Sequence, residues 1–184
     1  ENNFANVANQ DLLITGGVFR FAEPGAHTPE PVALGNVHVG DTFNEQLLSI
    51  SNTATADGFS EGLNASFTGT AGDASASGSF SVLAAGATDS TNLSISLDDT
   101  TTAGAKSGTA TVGFFSDGAG TSGLGQTALA GLDQTVNVSG NVFRFGEAGA
   151  HTPEPVALGN VHVGGTFNEQ LLSISNTATA DDFS

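Results

Sequence analysis

The chain has 184 residues, of which 19 are acidic and only Arg20, Lys106 and Arg144 are basic, giving a formal net charge of −16. Three cations cannot neutralise a row of phosphates, which argues against nucleic acid and against an anionic membrane surface as partners. The absence of cysteine excludes disulfides and thiolate chemistry, and no run of 18 apolar residues is present to insert into a membrane.

Short alternations of apolar and polar residues, separated by Gly, Asp, Ser and Thr turns, run along the chain without a helical period. Such alternation predicts β-strands with one buried and one solvated side. The predicted strands cover residues 32–39, 45–52, 62–68, 79–83, 91–97, 109–116 and 134–139, the last continuing over 142–145. The predicted buried residues include Phe67, Phe80, Leu93, Ile95 and Leu97, and the predicted loops include residues 69–77 and 118–123.

The strongest feature of the sequence is an internal repeat. Residues 18–60, the first repeat segment, recur as residues 142–184, the second repeat segment, at an offset of 124 residues. Only four of the 43 positions differ: Ala22/Gly146, Pro24/Ala148, Asp41/Gly165 and Gly58/Asp182. A period of about 124 residues is too long for a solenoid unit and suits a whole β-sandwich domain.

The motif VALGNVHVG followed by QLLSISNTA, at residues 32–40 and 46–54, resembles the start of ASPM–SPD-2–Hydin-type immunoglobulin-like domains. The later stretches SEGLNASF, AGAKSGTATV and VNVSGNV resemble the bacterial version, found in choice-of-anchor D repeat proteins. The resemblance spans residues 32–145 and implies an all-β, immunoglobulin-like sandwich in a secreted bacterial protein. It implies no catalytic residue and no ligand.

Three parts of the chain follow from the repeat. Residues 1–17 are expected to be the end (strand G) of a preceding module, 18–145 a complete module with an N-terminal linker, and 146–184 the linker and first strands of the next. The linker prolines favour an extended, semi-rigid spacer, and its Phe pairs are expected to pack against the neighbouring module. The predicted linker and assembly residues are Phe19, Phe21, Pro24, Pro29, Pro31, Phe143, Phe145, Phe167, Leu172 and Ile174.

Calcium is the only cofactor that the sequence suggests, because acidic turns can supply the several oxygens that this ion requires. The candidate ligands are Asp57, Glu61, Asp98 and Asp99; solvated turn acids are the alternative interpretation. A second cation site is conceivable at His27 with Glu23 and Glu30, whereas His38 is expected on the surface. Lys106 lies in the turn-like context AGAKSG, which disfavours a buried lysine and an isopeptide cross-link.

The sequence offers no catalytic constellation, so we expect no enzyme. The GxSxG match at residues 58–62 lacks the strand-to-helix context of a nucleophile elbow. The leading prediction is a structural repeat of a secreted fibre, matrix protein or giant surface adhesin, whose partners are its own repeats or copies. Assembly is expected as a continuous covalent array or by donation of strands from another chain. The alternative is a calcium-dependent carbohydrate- or surface-binding module, although Trp and Tyr for sugar stacking are absent.

Overall fold

A computed structural model of the chain describes residues 9–184, which contain ten β-strands and no helix that could cross a bilayer. The strands are β1 (Val32–His38), β2 (Gln46–Leu47), β3 (Ile50–Ser51), β4 (Gly62–Gly72), β5 (Ala74–Leu83), β6 (Thr88–Asp89), β7 (Leu93–Leu97), β8 (Gly104–Asp117), β9 (Gln126–Ala128) and β10 (Gln134–Phe143). The all-β class predicted from the alternating sequence is confirmed.

Seven of the strands form one path in the order β1-β10-β8-β4-β5-β7-β2, with β9 on the side of β8. Neighbours along this path are antiparallel except β1 and β10, which run parallel with Val32 opposite Val138 and His38 opposite Phe143. The short strands β3 and β6 form a separate pair. The sheets enclose one sandwich-like core.

The core consists of aliphatic and phenylalanine side chains from the inward side of the strands. Its largest fully buried side chains are Phe114, Leu48, Ile50, Leu63, Leu93, Ile95, Val32, Val112, Val136 and Val142. The predicted burial of Phe80, Leu93, Ile95 and Leu97 is confirmed. Phe67, also predicted to be buried, is only partly covered and packs against the edge of the core.

Two stretches differ from the predicted strands. The strand predicted at 45–52 is divided into β2 and β3, because Leu48 N–H donates to Leu93 O whereas Ser49 N–H donates to Thr28 O. Residues 69–77, predicted to be a loop, belong almost entirely to β4 and β5. Their small polar side chains carry no apolar pattern, and their strand structure comes from backbone pairing with β8 and β7.

The turn predicted around Lys106 is wrong. Lys106 lies within β8 opposite Gly140 of β10, and its side chain is buried. The ammonium group contacts the carboxylate of Asp99 and lies 3.0 Å from Thr102 Oγ1, so it has polar partners inside the fold. The long aliphatic stem of lysine is compatible with such a position.

Candidate assembly site

The predicted linker, residues 18–31, lies along residues 49–61 instead of projecting as a spacer. Arg20 N–H donates to Phe59 O at 2.7 Å, and Glu61 N–H donates to Arg20 O at 3.0 Å. Further along, Thr28 and Ser49 exchange both backbone hydrogen bonds, and Pro24 lies opposite Asn52. We call residues 61–141 the module body. The end of the module at which Arg20 lies beside Ser60 is called the leading end.

A buried hydroxyl joins the first repeat segment to the module body at this leading end. Ser116 Oγ accepts a hydrogen bond of 2.9 Å from Ala22 N–H and donates one of 2.7 Å to Glu61 Oε2. The other carboxylate oxygen, Glu61 Oε1, accepts from Ser122 Oγ at 2.6 Å. All polar atoms of this buried relay therefore have partners, as burial requires.

His27 provides a second junction between the segment and the body, and it is buried. Its ring Nδ1 lies 2.8 Å from Gln134 Oε1, and its Nε2 lies 2.8 Å from Glu30 Oε2. Glu30 also accepts from Asn137 of β10. Burial raises the pKa of Glu30, but the hydrogen bonds from Asn137 and His27 outweigh it and lower that pKa. His27 and Glu30 thus meet in a junction with β10, and the second cation site of these residues with Glu23 stays a prediction.

The second repeat segment reproduces the internal contacts of the first. Arg144 pairs with Asp181 at 2.5 Å, as Arg20 pairs with Asp57 at 2.7 Å. The rings of Phe143 and Phe183 are 5.6 Å apart, which is also the separation of Phe19 and Phe59. The backbone exchange of Thr28 with Ser49 recurs between the residues at the same repeat positions, Thr152 and Ser173.

The two segments differ in what covers their apolar side chains. Ile50 is 1% exposed against the module body, whereas Ile174 at the same repeat position is 65% exposed. Three further pairs of equivalent repeat positions show the same contrast, with the first residue buried and the second exposed: Val32 and Val156, Phe43 and Phe167, and Leu48 and Leu172. The predicted assembly residues Phe167, Leu172 and Ile174 are therefore solvent-exposed, with their apolar face uncovered.

The passage from the module to the second repeat segment takes place within three residues. Phe143 ends β10 opposite His38, and its carbonyl oxygen accepts a hydrogen bond of 2.9 Å from Val39 N–H. The Phe145 ring stacks on the imidazole of His38 with centroids 4.3 Å apart and planes at 14°. We call this the trailing end. His38 is exposed, as predicted, and also takes part in this joint.

Residues 9–17, the described part of the predicted preceding strand, form no strand, and residues 1–8 lie outside the described residues. Leu12 and Ile14 are exposed, whereas Val136 and Val138 at the same repeat positions of β10 are buried. Phe21, the counterpart of Phe145, is likewise exposed at the leading end. Pro29 and Pro31 are exposed and immediately precede β1.

The four calcium candidates are distributed between two places. At the leading end, Asp57 accepts from Phe59 N–H and from Arg20, and these two hydrogen bonds, the first contributing more, lower its pKa. Glu61 is buried in the Ser116 relay. Near the trailing end, hydrogen bonds from Lys106 and Thr101 lower the pKa of Asp99 to about 2, and Asp98 is exposed beside it.

Residues 9–184 contain no group of three or more His, Asp or Glu side chains placed to hold a metal ion. The calcium assignment stays a prediction. A cavity of about 270 Å³ opens at the leading end between residues 56–62, 82–85 and 120–121, and its lining consists of Ala, Gly, Ser, Thr and Val side chains. Such a lining offers shape and apolar contact but no titratable group for proton transfer.

No protein-family model matches the sequence, and a search of curated proteins finds no match either.

Proposed function

We propose that this chain is a structural repeat of a secreted bacterial fibre, extracellular matrix protein or giant surface adhesin, composed of immunoglobulin-like modules about 124 residues apart. One observation carries the proposal. The second repeat segment starts inside the last strand of the module and repeats the local contacts of the first, without an intervening linker. Modules built in this way are joined end to end, as in an array of beads.

The chemistry of the surface supports the same proposal. The chain carries a net charge of −16, which promotes solubility and self-repulsion between neighbouring arrays. The resemblance of VALGNVHVG and QLLSISNTA to immunoglobulin-like repeats of large secreted proteins agrees with a sandwich that has its first and last long strands paired. Spacer and adhesive modules of this kind need stable packing rather than a reactive site.

Labelling of intact cells of the source bacterium with an antibody to the purified chain tests the proposed location. We expect labelling without permeabilisation, and protease treatment of intact cells should remove it. Signal that appears only after lysis would contradict an extracellular role.

A glycan array probed with the purified chain, with calcium and with a chelator, separates the structural role from the alternative binding role. The structural proposal predicts no saturable binding under either condition. Saturable binding that chelation abolishes would instead support the calcium-dependent carbohydrate-binding module.

A further inference from the structure

The second repeat segment presents an apolar face with a groove of about 460 Å³, lined by Val156, Leu158, Phe167, Leu171 and the polar residues 168–170. Contiguous apolar surface of this kind usually marks an interaction site. The first repeat segment shows what the face fits, because 39 of its 43 residues are the same and its Val32, Phe43 and Ile50 side chains belong to the buried core shared with β4, β7, β8 and β10.

We infer that the module body binds the second repeat segment of another copy of this chain, in the place otherwise taken by its own first repeat segment. This inference rests on the proposed repeat function and names the partner and the binding mode. Val156 would take the place of Val32 opposite Val138, and His162 the place of His38 opposite Phe143. The buried aliphatic side chains of β4, β7, β8 and β10 supply the complementary surface.

The four differing positions are compatible with this exchange. Ala148 lies opposite Asn176 as Pro24 lies opposite Asn52, so this position pairs in the same way in both segments. Ala22 bonds Ser116 Oγ through its backbone N–H, which Gly146 also possesses, so only a buried methyl group is lost. Gly165 replaces Asp41, which is exposed. Gly58 has a φ of +82°, and Asp182 at that position belongs to the residue types that tolerate left-handed backbone comparatively well.

The second repeat segment cannot reach this place on its own module. Arg20 lies beside Ser60, near the Asp117 end of β8, whereas Val142 lies opposite Gly104 at the other end of that 14-residue strand. The two ends of β8 are about 40 Å apart. Arg144, at the repeat position of Arg20, is only two residues beyond Val142, and two residues span about 7 Å at most. Between copies of this 184-residue chain, such a contact is therefore intermolecular, and it joins the copies head to tail.

Residues 9–184 contain one module body and two repeat segments that fit it. The first segment is covalently joined to the body and acts at a high effective concentration, and it keeps the buried Ala22 methyl group. It therefore occupies the body in dilute wild-type protein. The exchange becomes measurable when the first segment is disabled and the second is left intact.

Ile50→Asp places a carboxylate in the core and disables the first segment, whereas Ile174→Asp changes the same repeat position where it is exposed. We expect Ile174→Asp to remain a folded monomer of about 18.3 kDa by light scattering after gel filtration. Ile50→Asp should form folded oligomers whose masses are multiples of that value and increase with concentration. The double variant should lose both the oligomers and the cooperative thermal transition.

A disulfide trap gives an independent measurement, since the chain has no native cysteine. Asn141 Nδ2 lies 3.1 Å from Asn36 Oδ1, so exchange places Asn160 of one molecule beside Asn141 of another. In the Ile50→Asp background, Asn141→Cys with Asn160→Cys should give a ladder on non-reducing gels. Asn141→Cys alone should give dimers at most.

Two results would overturn the exchange. One is an Ile50→Asp variant that is as unfolded as the double variant, and the other is an Ile50→Asp variant that stays a folded monomer. Neither result would affect the proposed extracellular structural role, which is tested separately by cell-surface labelling and glycan binding.

Discussion

Ser116 Oγ donates a 2.7 Å hydrogen bond to Glu61 Oε2, and both side chains are buried. The same hydroxyl accepts from Ala22 N–H, so it connects the first repeat segment to a buried carboxylate of the body. Without it, the carboxylate and the amide would each lose a partner in a place that water does not reach. The cost of leaving buried polar groups unsatisfied exceeds the net gain of an ordinary hydrogen bond.

Ser116→Ala is therefore expected to lower the free energy of unfolding by about 1–3 kcal/mol, because it leaves two buried polar groups short of a partner. Urea denaturation followed by circular dichroism measures this change. Ser107→Ala on the same strand is the matched control, since Ser107 is exposed and should change stability by less than about 0.5 kcal/mol. Equal effects of the two substitutions would mean that the hydrogen bonds of Ser116 do not contribute to the stability of the module.

The repeated sequence offers a test in which the local sequence is constant and only burial differs. Ile50→Ala should destabilise the module by about 2–5 kcal/mol, because it opens a cavity in a fully covered core. Ile174→Ala should change stability by less than about 0.5 kcal/mol, because Ile174 is already 65% exposed. Denaturant titrations of both variants measure the difference. A large effect of Ile174→Ala would mean that its face is covered in solution.

The pairing of Lys106 with Asp99 predicts a specific dependence on pH. The pKa of Asp99 is lowered from 3.8 to about 2 in the folded protein, so the ionised carboxylate stabilises the fold above about pH 4. That stabilisation is lost progressively as the pH falls from about 4 through 2, below which Asp99 is protonated in both the folded and the unfolded state.

Melting temperatures of wild type and Asp99→Asn measure this contribution as a difference, because other carboxyl groups titrate over the same range. Wild type should melt at a higher temperature than Asp99→Asn at pH 6, and the two should converge near pH 2. Asp98→Asn is the control, since Asp98 is adjacent but exposed and should not reproduce the pattern. A difference that persists unchanged at pH 2 would contradict the assigned role of the ion pair.

The parts that the sequence predicted well are those in which apolar side chains repeat at the period of the local structure. Leu93, Ile95 and Leu97 alternate with polar residues, and all three are buried. The Gly, Ser and Thr residues at 69–77 have no such pattern, so their pairing with β7 and β8 depends on neighbours distant in sequence. The turn predicted at Lys106 is wrong for a related reason. Flanking Gly and Ser residues indicate a turn only when no long strand pairs with them, and here β10 does.

The candidate assembly site was only partly predictable. The exposed faces at Phe167, Leu172 and Ile174 follow from the repeat and from strand alternation. The docking of the predicted linker, residues 18–31, does not follow, because its prolines indicate an extended spacer and its attachment depends on single polar contacts. Ser116 of β8 lies 94 residues after its partner Ala22, and Gln134 of β10 lies 107 residues after its partner His27. No local pattern distinguishes these two residues from other polar strand residues.

Limited digestion with trypsin tests the difference between the two repeat segments directly, since the chain has only three basic residues. Lys106 is buried in the middle of the sheet, and the backbone of Arg20 is hydrogen-bonded on both sides to a segment held by the core. The backbone N–H of Arg144 donates to Phe183 O of the second repeat segment, whose apolar side chains are exposed. Cleavage of native proteins requires local opening, which costs least where few buried contacts are broken.

The expected first cut is therefore after Arg144, and mass spectrometry should show residues 1–144 accumulating while the bonds after Arg20 and Lys106 stay intact. Digestion in urea is the control, because unfolding exposes all three sites and should remove the order. Replacing Asp181 by Asn breaks its ion pair with Arg144 and should accelerate the first cut. The same replacement of Asp57, the partner of Arg20, should have a smaller effect, because the module body still holds the first segment. Initial cleavage after Arg20 would show that the first repeat segment opens before the second.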